Sequence, residues 1–362
     1  MWPPGQERDR FVTQVVRFAA PRRVEVIETS PQPLSSGQVR VRTIATGISA
    51  GTELTAYRGT NPYLTSTWDA ESRVFRDADQ VAPPGYPLDG WGYSEVGEVV
   101  EIAPDPARQA NHDDVAVGDI VWGIWGHRSE GVLTQDALRG HQLPEGLDPV
   151  AGCFVRVGAI ALNAVLAADL NPGSTVVVLG QGVIGLLATR FATLAGARVV
   201  AVDGIERRLD VAKTFGAHDV LTPGPELPYQ VRELAGSTGV DVAIELSGSY
   251  HALQSATRVV GPDGTVVASG FYQGEAQPLR LGDEFHHNRV QIVASQIGGV
   301  PPRLQARWDV PRLQRTVVDL LAQGTPDVRE LISHRYPIAD AAAAYELLDT
   351  DGAAAIQVVL DA

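Results

Sequence analysis

At 362 residues, with 44% hydrophobic and 20% charged positions, the chain is long enough for two domains and ordinary enough in composition to bury a sizeable core. A formal net charge of −14, with no Lys/Arg-rich stripe to offset it, excludes nucleic acid as a partner, although a helix N-terminus still binds phosphate locally whatever the overall charge. The single cysteine, Cys153, excludes an intrachain disulfide and any metal site that needs two or more thiolates.

The first ten residues, MWPPGQERDR, read as a loose tail with no basic-then-apolar signal pattern. No apolar run reaches the ~20 residues that cross a membrane, so the expectation is a soluble cytoplasmic protein with no membrane partner. From about residue 11 to 150, short β-like runs are split by Gly/Pro turns: FVTQVVRF, RVEVIE, QVRVRTIATGI, VGEVVEIA, GDIVWGIW and GVLTQ. This spacing predicts a twisted, mostly antiparallel, barrel-like domain. The stretch from Arg58 to Tyr93 is polar and aromatic-rich, with Tyr63, Trp68, Phe75, Tyr86 and Trp91, and reads as a long functional or mobile loop.

Near residue 157 the pattern changes. GAIALNAVLAADL has helical spacing, and STVVVLG is a β-branched run ending in a glycine-rich turn. Helices (VIGLLATRFATLAG, ERRLDVAKTFGA, PYQVRELAGSTG, HALQSATRVV) then alternate with strands (ARVVAVD, HDVL, DVAIELSG, GTVVASGFY), and RVQIVASQ forms a sixth strand. Such alternation predicts a parallel, doubly wound sheet. The last segment adds the helices VPRLQRTVVDLLAQG and ADAAAAYELLDT and the strands ISHRYPI and AAIQVVLD. The expected α/β architecture is a β-rich domain of residues 1–165 and 300–362, interrupted by a Rossmann domain of residues 166–299.

Gly180-Gln181-Gly182-Val183-Ile184-Gly185 is a G-x-G-x-x-G element. Glycines in turns are common, but this run follows an apolar strand and opens a helix, and a second strand ends in Asp203, 23 residues after Gly180. Gly180 permits the tight turn, Gly182 lets a pyrophosphate approach, and Gly185 lets helix and strand pack closely. Asp203 can accept hydrogen bonds from both ribose hydroxyls and repels a 2′-phosphate, which favours NAD over NADP. Arg207 and Arg208 pull the other way, because a guanidinium here accommodates a phosphate.

The β-rich first half, the GQGVIG turn and the later ELSGS and VVASGFYQG segments resemble the medium-chain dehydrogenases/reductases over nearly the whole length. Within them, ISAGTELTAYRG, GYSEVGEVVEIA, GDIVWGIWGH and SQIGGVPPRLQARWD are similar to the subgroup of bacteriochlorophyllide a dehydrogenase-like proteins. The resemblance implies a GroES-like catalytic domain plus a Rossmann domain, cofactor contacts at Arg208, Ser247, Ser269, Gly270 and Phe271, and a homodimer formed through the last Rossmann strand. Phe271 and Tyr272 also suit core packing.

In zinc-containing members, a Cys, a His and a later Cys or Glu hold the metal. Here the first motif reads Gly47-Ile48-Ser49-Ala50-Gly51-Thr52-Glu53, Tyr93 stands where the His would, and the third position falls near Arg156. The expectation is therefore no catalytic zinc. A rearranged site of His127, Glu53 and Cys153 is conceivable, but the spacing does not require it.

Without a metal, hydrogen-bond donors and an acid/base group must handle the oxygen of an alcohol or ketone. By resemblance Thr52 contacts the substrate oxygen; alternatively it caps the helix ELTAYR. Tyr93 donates a phenolic hydrogen bond or packs under the cofactor. His127 exchanges protons near neutral pH or is an exposed loop histidine. Ser49 and Glu53 shape the same corner, as substrate-pocket residues. The adjacent His286 and His287 on an extended segment would point to opposite faces and suit a surface or subunit contact.

The leading expectation is NAD-dependent interconversion of a secondary alcohol and a ketone on a polar or ring-bearing small molecule. The alternatives are an NADPH-dependent quinone or enoyl reductase, and a non-catalytic sensor of NAD(H).

Overall fold

The computed structural model describes residues 12–77, 85–109, 111–236 and 238–362. The N-terminal tail lies outside the described residues, as does part of the aromatic segment. Two compact units emerge: residues up to Cys153 together with Ile332–Ala362, and Phe154–Leu331.

The first unit opens with the antiparallel strands β1 (Thr13–Ala20) and β2 (Arg23–Thr29), then β3 (Gln38–Ile48) and α1 (Ala50–Arg58). A small hairpin follows, β4 (Ser66–Asp69) with β5 (Val74–Asp77), so part of the expected loop is ordered. Then come β6 (Leu88–Asp89), β7 (Glu95–Ile102), β8 (Ile120–Gly123), β9 (Glu130–Thr134) and the short α2 (Gln135–Leu138).

The second unit begins with α3 (Val155–Ala167) and continues as β10 (Thr175–Leu179), α4 (Val183–Leu194), β11 (Arg198–Val202), α5 (Glu206–Thr214), β12 (Asp219–Leu221) and α6 (Leu227–Ala235). It ends with β13 (Val240–Glu245), α7 (Tyr250–Val259), β14 (Val260–Ala268), β15 (Gln291–Ala294) and α8 (Val310–Ala322). The chain then returns to the first unit with β16 (Ile332–Pro337), α9 (Ala341–Thr350) and β17 (Gln357–Asp361).

In the first unit the main sheet runs β16-β17-β3-β7-β8, with β9 also paired to β3, and a second sheet runs β2-β1-β6. β3 pairs antiparallel with β7, setting Val41 opposite Val99. Val39, Val41, Val99 and Val121 are all fully buried, as period-2 alternation on a half-buried strand requires.

The sheet of the second unit runs β12-β11-β10-β13-β14-β15, with every pairing parallel. All six strands lie where the alternation of β-branched and helical runs predicts. Val176, Val177 and Val178 are fully buried because helices cover both faces, which explains why β10 is apolar at successive positions rather than alternate ones. Burial of each such side chain contributes roughly 1.5–3 kcal/mol. Strand order reverses between β10 and β13, and the carboxyl ends flanking that point are where an open α/β sheet leaves a crevice.

The unit boundaries differ from the expected ones at 165/166 and 299/300. α3 packs on α4 and α8, and α8 stays with the second unit. A methyl on Gly158 of α3 would sit 2.6 Å from Val317 of α8, so the two helices meet closely. Among the described residues, the helical stretch Pro149–Ala167 is long and apolar enough to cross a membrane, but it is 78% buried within the protein. His286 and His287 lie on a helical turn rather than an extended segment, and both are exposed.

Candidate active site

The nucleotide-binding element of the second unit forms as its glycines predict. Gly180 ends β10 at φ +89°, a conformation open to glycine, and a methyl there would meet the Ser247 backbone nitrogen at 2.7 Å. A methyl on Gly182 would meet nothing within 4 Å, so this position faces free space at the N-terminus of α4. The first N–H groups of that helix, at Val183, Ile184 and Gly185, have no partner within the helix and present a local positive end to an anion.

Asp203, at the end of β11, is 8% exposed and accepts the N–H of Gln181 at 2.6 Å and of Ile205 at 2.9 Å. The Gln181 side chain turns inward, donating to the Val178 carbonyl at 2.8 Å and accepting from Thr189 at 3.0 Å, which leaves only its backbone on the crevice side. A cavity of about 700 Å³ opens beside this turn, lined among others by Gly180, Asp203, Ile205, Arg208, Ser247 and Ser249. Arg207 is exposed at the start of α5. The donor set, the free space at Gly182 and the carboxylate fit a dinucleotide.

Across the switch point, the organising residue is one that the sequence reading did not single out. Glu245 is fully buried at the end of β13 and accepts the N–H of Ser247 at 2.7 Å, the N–H of Gly248 at 3.2 Å, and the hydroxyls of Ser247 and Tyr272. Burial pushes its carboxyl up, against the pull of those donors. Its carbonyl accepts the N–H groups of Ser269 and Gly270, binding the ends of β13 and β14 together. Phe271 is 39% exposed, whereas Tyr272 is tied to Glu245, which separates two residues that sequence alone could not. The signal for Glu245 was present as a carboxylate closing an apolar strand.

In the first unit, α1 starts at Ala50, earlier than the ELTAYR helix expected from sequence, so Ser49 rather than Thr52 is the N-cap. The Ser49 hydroxyl does not cap; it hydrogen-bonds the Tyr93 hydroxyl, and the Thr52 hydroxyl lies 3.4 Å from the same oxygen. The structure therefore gathers Ser49, Thr52 and Tyr93 into one cluster of hydroxyls. Thr52 and Tyr93 are partly exposed.

His127 and Glu53 stand elsewhere than expected. His127 is 0% exposed, neither a loop histidine nor a group open to substrate, and its Nε2 lies 2.7 Å from Glu53 Oε2. Its Nδ1 lies 2.7 Å from the Thr46 hydroxyl. Glu53 is also 0% exposed; it accepts the Ser49 N–H at 2.7 Å and the Tyr345 hydroxyl. The expected roles of His127 as the proton-exchanging group and Glu53 as a pocket residue are corrected on this ground, because neither side chain reaches the surface. Thr46, Glu95 and Tyr345 complete the network and were not foreseen.

The positions that the resemblance gives to zinc ligands hold Ser49 and Tyr93, with the third near Arg156, residue types that do not fit the usual Cys/His site. Burial pushes the Cys153 thiol far up, so it is no ready thiolate, and both His127 nitrogens are engaged within the network. Among the described residues, no three His, Cys, Asp or Glu side chains group as metal ligands.

Residues 183–313 match the family model described as zinc-binding dehydrogenase. The chain is 32% identical over 320 residues to D-guloside 3-dehydrogenase of Shigella flexneri, covering 86% of this chain and 89% of that one. It is 28% identical over 337 residues to L-threonine 3-dehydrogenase of Pyrococcus abyssi, covering 86% and 88%. Among solved structures, a zinc-binding dehydrogenase from Sinorhizobium meliloti described as bound to NADP superposes with a TM-score of 0.76 at 23% identity, covering 97% of this chain and 99% of that one.

Proposed function

Because this chain belongs to the zinc-binding dehydrogenase family of the medium-chain dehydrogenase/reductase superfamily, we propose that it interconverts a secondary alcohol and a ketone on a polar, ring-bearing metabolite, using NAD and no catalytic zinc. The observation that carries this reading is the Ser49–Tyr93–Thr52 hydroxyl cluster, in which Ser49 and Tyr93 stand at motif positions where zinc-binding members place metal ligands.

In the direction of reduction, the Tyr93 and Thr52 hydroxyls donate hydrogen bonds to the carbonyl oxygen, favouring the charge that develops there. In oxidation the alcohol O–H donates to these oxygens and its proton passes through the partly exposed hydroxyls to solvent as hydride leaves carbon, while Ser49 holds the Tyr93 hydroxyl in place. The nicotinamide, when bound, supplies the hydride acceptor or donor. Gly182 and the start of α4 would hold its pyrophosphate, Asp203 the adenosine ribose, and Ser269, Gly270 and Phe271 the nicotinamide side. Arg208 lines the same cavity as Asp203, but the carboxylate favours NAD.

D-Guloside 3-dehydrogenase, at 32% identity, supports a glycoside or polyol substrate. The exposed rings of Tyr63, Trp68 and Phe75, with centroids 5.5 and 5.1 Å apart along the series Tyr63–Phe75–Trp68, suit the apolar face of a sugar ring. The exposed edge strand β15, with Ile292 37% accessible, supports a homodimer, and the single cysteine suits a reducing cytoplasm.

The test is titration of the protein with NADH and NADPH, read by energy transfer from tryptophan to the reduced nicotinamide, with elemental analysis of the same sample. A screen of methyl D-gulosides, polyols and L-threonine with NAD follows. Tighter NADH binding, no stoichiometric zinc and NADH formation from a glycoside or polyol support the reading. Stoichiometric zinc, or NADPH preference with turnover of an enone, overturns it.

A further inference from the structure

The buried polar network beneath the hydroxyl cluster has its protons assigned by which atoms can donate. Thr46, on β3, has one hydroxyl proton and gives it to Glu95 Oε1, on β7, at 3.2 Å. The other oxygen of Glu95 accepts the Trp125 N–H at 2.9 Å. Burial pushes the Glu95 carboxyl up, against the pull of the His127 charge and the Trp125 N–H; with Glu95 as the acceptor, the Thr46 oxygen accepts in turn from His127 Nδ1 at 2.7 Å.

On the opposite side of the ring, Glu53 on α1 accepts from the Ser49 N–H and from the Tyr345 hydroxyl of α9, and its Oε2 lies 2.7 Å from His127 Nε2. Burial pushes the Glu53 carboxyl up, but the His127 charge and these hydrogen bonds outweigh it and hold the carboxyl low, so Glu53 is the acceptor and Nε2 carries a hydrogen as well. Both ring nitrogens are then protonated, and the buried ring is an imidazolium facing Glu53, with Glu95 behind Thr46. All of these side chains are buried.

This network touches both arms of the hydroxyl cluster. Glu53 holds the backbone N–H of Ser49, whose hydroxyl bonds Tyr93. On the other arm, the His127 N–H donates to the Trp91 carbonyl at 2.8 Å. Gly92 lies directly on the network: a methyl there would be 2.8 Å from both His127 Cε1 and Glu95 Oε1. Tyr93 follows Gly92 in the chain, so its backbone approach is set by the His127 ring and its hydroxyl by the residue that Glu53 anchors.

We infer that Glu53 and His127 form a locked carboxylate–imidazolium pair that acts as the positioning device for the Ser49–Tyr93 hydroxyls. This role rests on the reading of those hydroxyls as the oxygen-binding group, whereas the protonation state stands without it. The pair moves no proton to substrate. It fixes two hydroxyls at positions where zinc-containing members carry metal ligands.

The experiment uses the full chain with ¹⁵N-labelled histidine and ¹³Cζ-labelled tyrosine, as wild type, E53Q and S49A. Between pH 5.5 and 7.5, both His127 nitrogens in the wild type are expected to show protonated-type shifts with no titration. In E53Q one nitrogen is expected to become unprotonated, and the Tyr93 Cζ resonance to move as it does in S49A, while NADH affinity stays within twofold. On whichever glycoside or polyol the screen finds, E53Q is expected to lose tenfold or more in kcat, with KM changed less.

A neutral His127 in the wild type overturns the inference, as does a Tyr93 resonance that moves in S49A but not in E53Q. The spectroscopic readouts need no substrate, so failure of the screen to find an alcohol counts against the proposed function alone. If E53Q does not fold, T46V carries the same test: it removes the Nδ1 acceptor with little change of shape, and His127 is expected to lose a proton.

Discussion

A methyl group placed on Gly185 would sit 1.7 Å from the carbonyl oxygen of Gly180, so the helix that follows the glycine-rich turn rests backbone to backbone on the turn itself. No rotamer relieves that overlap. Gly185→Ala should therefore cost about 3 kcal/mol or more and lower the melting temperature by roughly 5–10 °C, measured by calorimetry without ligand. An unchanged melting temperature would show that the turn yields and that the close approach is not obligatory.

Gly182 makes the contrasting case, since a methyl there meets nothing within 4 Å. Gly182→Ala is expected to leave stability within about 0.5 kcal/mol of wild type, yet to weaken NADH binding about tenfold or more, equivalent to about 1.4 kcal/mol. Fluorescence titration beside thermal melting checks both halves. Unimpaired NADH binding would place the pyrophosphate elsewhere.

Asp203 has two tasks that one variant separates. It accepts two backbone N–H groups, from Gln181 and Ile205, and it lines the cavity assigned to the adenosine. Asp203→Ala leaves both donors without their acceptor, a loss of about 1–3 kcal/mol in stability. If the carboxylate also selects NAD, the ratio of NADPH to NADH dissociation constants should fall about tenfold. A ratio that stays put while stability drops would make Asp203 a brace of the turn only.

Tyr345 reaches Glu53 from the far end of the chain, and both side chains are fully buried. Tyr345→Phe keeps the ring, which stacks on Tyr57 with centroids 5.7 Å apart, and removes one donor from a buried carboxylate. The expected loss is about 1–3 kcal/mol, read from denaturant unfolding. A neutral effect would mean that Glu53 is satisfied without it.

Stability should depend on pH through the Glu53–His127 pair. Burial disfavours both charges, but each partner's charge and hydrogen bond outweigh it, raising His127 above its ordinary 6.5 and lowering Glu53 below 4.5. The His127 contribution is complete below pH 6.5 and is lost as pH rises through its higher folded value; the Glu53 contribution is complete above pH 4.5 and is lost as pH falls through its lower folded value. The melting-temperature gap between wild type and the E53Q/H127Q double variant should thus be widest between about pH 4.5 and 6.5 and narrow on both sides. A gap independent of pH would argue that the pair is not ionised.

The nucleotide element could be read from sequence because its determinants are local. Gly180, Gly182 and Gly185 fall within one turn and Asp203 closes the next strand, so spacing alone carries the geometry. The unit boundaries were less legible: α3 and α8 have ordinary amphipathic patterns that do not say which sheet they cover, and only their packing on each other and on α4 assigns them to the second unit.

By itself, the sequence determined the alternation of strand and helix, the glycine turn and Asp203, and its family resemblance set Ser49 and Tyr93 against metal-ligand positions. Tertiary structure alone decided which polar groups meet. Glu53 finds His127 across 74 positions and Tyr345 across 292, and the register of β3 against β7 brings Thr46 opposite Glu95. A histidine after the glycine of WGH looks like an exposed loop residue because no local period marks it as buried. It is a buried ion because strands and helices distant in sequence enclose it, and in that dry setting a charge persists only beside its counter-charge.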